Sequence, residues 1–293
     1  MMKIAYLIDR DSVGGGMEYV RRQIGAHPQD ECRVFFSARG ECTVAKLNTW
    51  GAEKIVVNHL KALLQLLGNP FRRPRGEVTF VVHGIHLRKY GFLPKTPLNL
   101  TKRVLRRRLE TYLYRRCDRI VALTTTDSDD ILRLYGRGLN VDVEPNSLDG
   151  WKANMADSLP AGIDGSFKYL CIGRFDYQKG QDRWIREIGN REQGIGNRLD
   201  LRTLFIGAGP MLVKCKRLAK ELGIEDLCVF AGAISEADRY LKCADAVVSP
   251  SRWEGMPYLM MKARALDCLI LATDCPGNRD VLAGYEKWEK LEL

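Results

Sequence analysis

Short apolar runs bounded by turn formers recur along this chain, separated by longer stretches of helical periodicity. In the first half they fall at Lys3–Ile8, Arg33–Phe36, Lys54–Val57, Val78–Val82 and Arg119–Leu123. Runs this short, alternating with helical segments, specify parallel strands covered by helices. The alternation pauses at EPNSLDG, where turn formers concentrate. It restarts at Lys168–Ile172, with further runs at Leu201–Ile206, Cys228–Phe230, Ala246–Val248 and Leu269–Ala272. The pattern predicts an α/β protein of two Rossmann-like domains, residues 1–148 and 149–293. A ligand is expected in a cleft between the sheets, since loops at the carboxyl ends of parallel strands are where such folds bind.

With 293 residues, 45% hydrophobic and 28% charged, the chain has material for two such cores. No apolar run approaches the roughly 18–20 residues needed to cross a bilayer. Met1–Ile8 is too short for a signal-peptide core and runs into Asp9, Arg10 and Asp11, so it reads as a first strand of a cytoplasmic protein. Nine scattered cysteines form no CxxC pair and have no histidine at metal-ligand spacing. Reduced thiols are expected, with neither structural zinc nor a disulfide framework. The formal charge is +10, and residues 1–150 hold 25 Lys and Arg against 16 Asp and Glu, so +9 of it sits in the first half. Such asymmetry points to an anionic partner met by one domain. The dinucleotide fingerprint GxGxxG is absent, which argues against a nicotinamide-dependent dehydrogenase.

Two segments of the second half carry chemistry. After KYLCIG comes GRFDYQKGQD, which places Arg174 and Lys179 around a turn feeding a helix. Two cations near a helix amino terminus suit a diphosphate; a solvated surface pair reads the same way. Downstream, ADAVVSP ends a strand and SRWEGMPYL follows, with Glu254 before Gly255. A carboxylate there can accept hydrogen bonds from sugar hydroxyls while the amides of Gly255 and Met256 face an anion. Alternatively, Glu254 caps the helix that Pro257 begins.

The order GRFDYQKGQD, FIGAGPMLVKCKRLAKELGIEDLCVFAG, ADAVVSPSRWEGMPYLMMKARA, LATDCPGNRDVL resembles the donor-binding half of glycosyltransferase family 4, retaining enzymes of the GT-B fold. The resemblance implies that Arg174 and Lys179 hold the diphosphate of a nucleotide-sugar donor and that Glu254 contacts its sugar. It adds Gly209, Gly255, Met256 and Pro257 to the donor site, with no cofactor and no metal. In the first half GGGMEYV is similar to the family's GGxE loop, which brings in Gly15 and Gly16. VVHGIHLRKYG is similar to its His-containing acceptor segment, and EPNSLD to its hinge. His83, ending an apolar run, is preferred over His86 as a group that orients sugar or acceptor; a structural histidine fits the same position. The implied function is retaining transfer of a sugar from a nucleoside diphosphate to a saccharide or lipid-linked acceptor in surface-glycan assembly: lipopolysaccharide, O-antigen, capsule or exopolysaccharide.

Two departures from the family pattern stand out. Lys262 occupies the place of a glutamate that binds the donor ribose, and a lysine has no acceptor for the two hydroxyls. Its readings are a lost contact, a contact to an extra donor anion, or a degenerate protein. The chain also stops soon after ATDCPGNRDVL, at EKWEKLEL, so a shortened carboxyl end is expected. Both features keep open a catalytically silent relative that binds membranes or a partner. A sugar-nucleotide epimerase would need an acid/base pair that the sequence does not display.

Residues 101–119, TKRVLRRRLETYLYRRCDR, set Leu105, Leu109, Tyr112 and Leu113 at helical spacing among eight Lys and Arg. Such a helix rests on an anionic membrane surface or packs on a core with a solvated basic face. No nucleic-acid-binding signature accompanies it. Asp127–Asp130 match a DxD metal motif, but TTTDSDDILRLYG reads as a helix start capped by Asp and Ser.

Overall fold

The computed structural model describes residues 1–9, 15–192 and 201–293. The chain divides into two compact units, Met1–Asn146 and Ser147–Leu293. The first runs β1 (Lys3–Ile8), α1 (Gly15–Ala26), β2 (Glu31–Phe36), α2 (Val44–Trp50), β3 (Lys54–Val57), α3 (Leu60–Leu67), β4 (Glu77–Val82), α4 (Pro97–Tyr114), β5 (Arg119–Ala122), α5 (Thr125–Tyr135) and β6 (Val141–Val143). The second runs β7 (Phe167–Ile172), α6 (Gln181–Glu192), β8 (Thr203–Ile206), α7 (Leu212–Glu221), β9 (Cys228–Gly232), β10 (Ala244–Ser249), α8 (Tyr258–Ala265), β11 (Leu269–Ala272), α9 (Pro276–Leu282) and β12 (Trp288–Lys290). Each unit is built on one six-stranded sheet, ordered β2-β1-β3-β4-β5-β6 and β12-β11-β10-β7-β8-β9. All pairings are parallel.

Side-chain alternation explains why helices cover both faces of the second sheet. Tyr169, Cys171, Phe205, Ala246 and Val248 point into one core, where α6 supplies Trp184, Ile185 and Ile188 and α7 supplies Leu218. Their strand neighbours Leu170, Leu204, Ile206, Val247 and Ile270 enter another, closed by Met260 and Ala263 of α8 and Val281 and Leu282 of α9. A strand buried on both faces must be apolar throughout, and each fully buried aliphatic or Phe side chain contributes about 1.5–3 kcal/mol. In the first unit Leu7, Val57, Phe80, Val82 and Ile120 pack with α3, α4 and α5.

Several details differ from the sequence reading. β6 and β12 were not expected: each has three residues and only partial burial, too short for a periodic signal. β12 pairs with β11, so EKWEKLEL contributes an edge strand of the second sheet. The start of α5 is capped by Thr124, whose hydroxyl accepts from the Asp127 amide at 3.1 Å, and not by Asp or Ser of the DSDD stretch. Asp127 is buried and paired with Arg88 at 2.7 Å, which also holds Asp130 at 2.8 Å. The DxD-like carboxylates thus serve to bind α5 to the His86–Gly91 turn. All nine cysteines are unpaired. Among the described residues no helix is long and apolar enough to cross a membrane.

Candidate functional site

In the second sheet β7 and β10 are neighbours, yet the chain leaves them in opposite directions, toward β8 on one side and β11 on the other. The two outgoing loops part at this switch point and leave a crevice at the strands' carboxyl ends. The loop after β7 carries Arg174 and Lys179, and the loop after β10 carries Glu254. Residues 75 apart in sequence meet there: Lys179 Nζ donates to Glu254 Oε1 at 2.7 Å, and Ser251 Oγ donates to the same oxygen at 2.6 Å. Glu254 is only 5% exposed. Burial lowers the affinity of Lys179 for its proton, but the Glu254 carboxylate, with Asp176 behind it, outweighs this and holds the ammonium above its ordinary range. The pair lines a pocket with Gln181, Ser249, Ser251 and Pro257.

Arg174 takes a different position. Its guanidinium turns outward, 68% exposed, and pairs with Asp176 at 2.5 Å. The other oxygen of Asp176 accepts from the Lys179 amide at 3.0 Å, so one carboxylate fixes both cationic residues in a single turn. Helix α6 begins two residues after Lys179, adding its amino-terminal amides to the positive field.

The two loops are also clamped together. The Arg252 amide donates to Gln178 O at 2.7 Å, and Gln178 Nε2 donates to Trp253 O at 3.0 Å. The Arg252 guanidinium grips Asp182 through two bonds, at 2.9 and 2.7 Å, and lies 4.0 Å from the Tyr177 ring centre. Burial tends to raise the Asp182 carboxyl, and the Arg252 bonds outweigh this and hold it low. Sequence reasoning missed Ser251, Arg252, Asp176 and Asp182. The sole local signal was the three-residue spacing of Ser251 and Glu254; the Arg252–Asp182 bond spans 70 positions and has no periodic trace.

The remaining expected residues fall as follows. Gly209 packs on the first loop: a Cβ there would stand 2.4 Å from the Phe175 carbonyl oxygen. Glu254 is not a helix cap; α8 begins at Tyr258 with Pro257 at its N-cap, and the carboxylate is taken by Lys179 and Ser251. Gly255, expected to present an open amide, is buried because Gly277 of α9 seats directly against it. Met256 is half-buried and packs on the α8 core. Gly15 and Gly16 open α1, while Gly14 lies outside the described residues.

His83 belongs to the first unit, just after β4. Its Nε2 donates to Asn58 Oδ1 at 3.0 Å, an assignment that follows from Asn58 Nδ2 donating to Val56 O. The Tyr19 ring meets it edge-on at 5.2 Å. Burial, with the neighbouring His59 adding to it, pushes its pKa down to about 3, so the imidazole is neutral near neutral pH. His86 is exposed on the next turn.

Lys262 is ion-paired. Its ammonium, 10% exposed, lies 3.1 Å from Asp238 Oδ2 and 5.7 Å from the Trp151 ring centre. Trp151 Nε1 donates to the same Asp238 oxygen at 3.3 Å. Lys262→Glu would therefore set two carboxylates against each other in a sparsely hydrated place, at an expected cost of about 1–3 kcal/mol. Thermal melts should show the loss, and adding Asp238→Lys should restore most of it. A melt unchanged by Lys262→Glu would contradict the pairing.

Two parallel-sheet Rossmann-like units define an α/β protein whose neighbours among solved structures are GT-B glycosyltransferases. A sucrose-phosphate synthase from Thermosynechococcus elongatus superposes with a TM-score of 0.75 at 16% identity, covering 99% of this chain and 86% of that one; the likeness is one of fold. Residues 160–288, most of the second unit, match the family model described as glycosyl transferases group 1. An uncharacterized glycosyltransferase of Methanocaldococcus jannaschii is 25% identical over 180 residues, 58% of this chain and 43% of its own. The UDP-Gal:alpha-D-GlcNAc-diphosphoundecaprenol alpha-1,3-galactosyltransferase of Escherichia coli is 23% identical over 224 residues, 73% of this chain and 56% of its own. The chain thus spans about half the length of these curated relatives.

Proposed function

We propose that this protein is a retaining glycosyltransferase that moves a sugar from a nucleoside diphosphate to a surface-glycan acceptor. The observation that carries the reading is the Lys179–Glu254 pair at the β7/β10 switch point, with Arg174 on the same turn. Cleavage of the donor's glycosidic bond leaves negative charge on the departing diphosphate, and two cations beside a helix amino terminus are what that charge requires. Lys179 and Arg174 would hold the diphosphate, and Glu254 would accept a hydrogen bond from the donor sugar. No metal or cofactor takes part in this scheme. The galactosyltransferase relative is named for a UDP-sugar donor and a lipid-linked diphosphate acceptor, which favours the same substrate classes here.

The test is incubation of the purified chain with UDP-, GDP- and ADP-sugars and lipid-linked saccharides, with mass spectrometry of the products. Calorimetry with UDP, GDP and ADP accompanies it. One nucleotide should bind, and Arg174→Ala should weaken it by roughly tenfold, the loss of one charged hydrogen bond. Absence of binding by every nucleotide, or an affinity indifferent to Arg174→Ala, would overturn the assignment.

A further inference from the structure

Helix α4 has two unlike halves. Its last turns are built into the first unit: Glu110, Leu113 and Tyr114 are buried, and Leu109 and Tyr112 pack on the core. Its first turns are not. Leu98 is 61% exposed, Leu100 49%, Val104 51% and Leu105 59%. At 100° per residue Leu105 continues the stripe of Leu109, Tyr112 and Leu113, while Val104 turns away from Glu110 and Leu113, so the apolar stripe read from the sequence runs past the core and its first turns stay open. Between Glu77 and Glu110 there is no acidic residue, while α4 alone carries Lys102, Arg103, Arg106, Arg107 and Arg108. A solvated basic face would not need four open aliphatic side chains among these cations.

A second feature lies at the other end of the same helix. The loop after α3 displays Phe71, 94% exposed, beside Arg72, Arg73 and Arg75. The loop backbone is held in place. Arg116, just past α4, donates to the carbonyls of Asn69 at 3.2 Å, Pro70 at 3.1 Å and Arg72 at 2.8 Å. The Phe71 amide donates to Asn69 Oδ1 at 2.9 Å. A guanidinium spent on three carbonyls of one loop fixes the phenyl ring in water, where it gains nothing without a partner.

We infer that α4 and the Phe71 loop form a contact for an anionic phospholipid bilayer. Phe71, Leu100, Val104 and Leu105 would enter the boundary of headgroups and acyl chains, and the exposed Arg72, Arg75, Lys102, Arg103 and Arg108 would meet lipid phosphates. Arg73, Arg106 and Arg107 are instead held by Asp118, Glu110 and the Leu134 carbonyl. A nucleic acid would satisfy the cations and leave the apolar groups in water, so the bilayer accounts for more of the surface. The inference uses the first unit's surface alone and is independent of the nucleotide-sugar reading.

The experiment is flotation of the full chain with vesicles of phosphatidylglycerol and phosphatidylcholine in equal parts, and with phosphatidylcholine alone. Binding to the first and not to the second is expected. Phe71→Ser, at a side chain with almost no intramolecular contact, should weaken partition by about tenfold, with an unchanged thermal melt. The triple variant Leu100→Ser, Val104→Ser, Leu105→Ser should weaken it further. Failure to bind the anionic vesicles overturns the inference. So does vesicle binding that neither variant alters, or capture by duplex DNA that abolishes binding while both variants leave vesicle affinity unchanged.

Discussion

If the proposed function holds, Lys179→Met lowers sugar-transfer turnover by about two to three powers of ten, the usual effect of removing one preorganised donor from developing negative charge. Methionine keeps most of the side-chain volume and removes the ammonium. The same substitution takes the ammonium away from Glu254, 5% exposed, while Ser251 still donates to it at 2.6 Å. Breaking a buried pair costs about 3–5 kcal/mol, and here the low end applies because the Lys179 side chain is 29% exposed. Stability and chemistry therefore need separating. Adding Glu254→Gln to Lys179→Met removes the stranded charge and should recover most of the thermal stability without recovering turnover. Turnover undiminished in the folded Lys179→Met protein would remove the lysine from the mechanism.

Gly277→Ala should disturb the site while replacing none of the side chains proposed to meet substrate. A Cβ on Gly277 would stand 2.0 Å from the Gly255 carbonyl oxygen and 2.8 Å from the Glu254 carbonyl carbon. Both obstacles are backbone, so the start of α9 and the Glu254 loop must move apart. Overpacking of this kind costs about 1–3 kcal/mol, and displacement of Glu254 from Lys179 should weaken nucleotide binding as well. A thermal melt and nucleotide calorimetry on the same protein check both parts. Gly25→Ala is the control: nothing lies within 4 Å of the added methyl, and alanine favours the α1 helix. If Gly277→Ala melts and binds like the parent, the close approach of α9 is immaterial to the site.

These expectations rest on features of different legibility. Strand and helix alternation was readable because a parallel strand buried on both faces is a short continuous apolar run, as LFI of β8 and VV of β10 show. Arg174, Lys179 and Glu254 were readable as candidates because each follows such a run, where loops at strand ends bind ligands. Phe71 was not, since a single aromatic in a loop has no period and its exposure depends on the Arg116 clamp 45 or so residues away. Lys262 was legible as a departure from the family pattern, but its partner Asp238 was not. Asn58, which orients His83 across 25 positions, had no signal either.

The sequence by itself determined the fold class, the two-part organisation, and which loops carry cations and a carboxylate, because those follow from local periodicity and from residue chemistry. Only the tertiary structure decided which of these groups pair. The reversal of strand order in the second sheet makes β7 and β10 neighbours, and this adjacency joins Lys179 to Glu254 while leaving Arg174 turned outward on Asp176. Hydrogen bonds and ion pairs form over about 3 Å between groups many tens of residues apart, and no periodicity along the chain encodes which of them will meet.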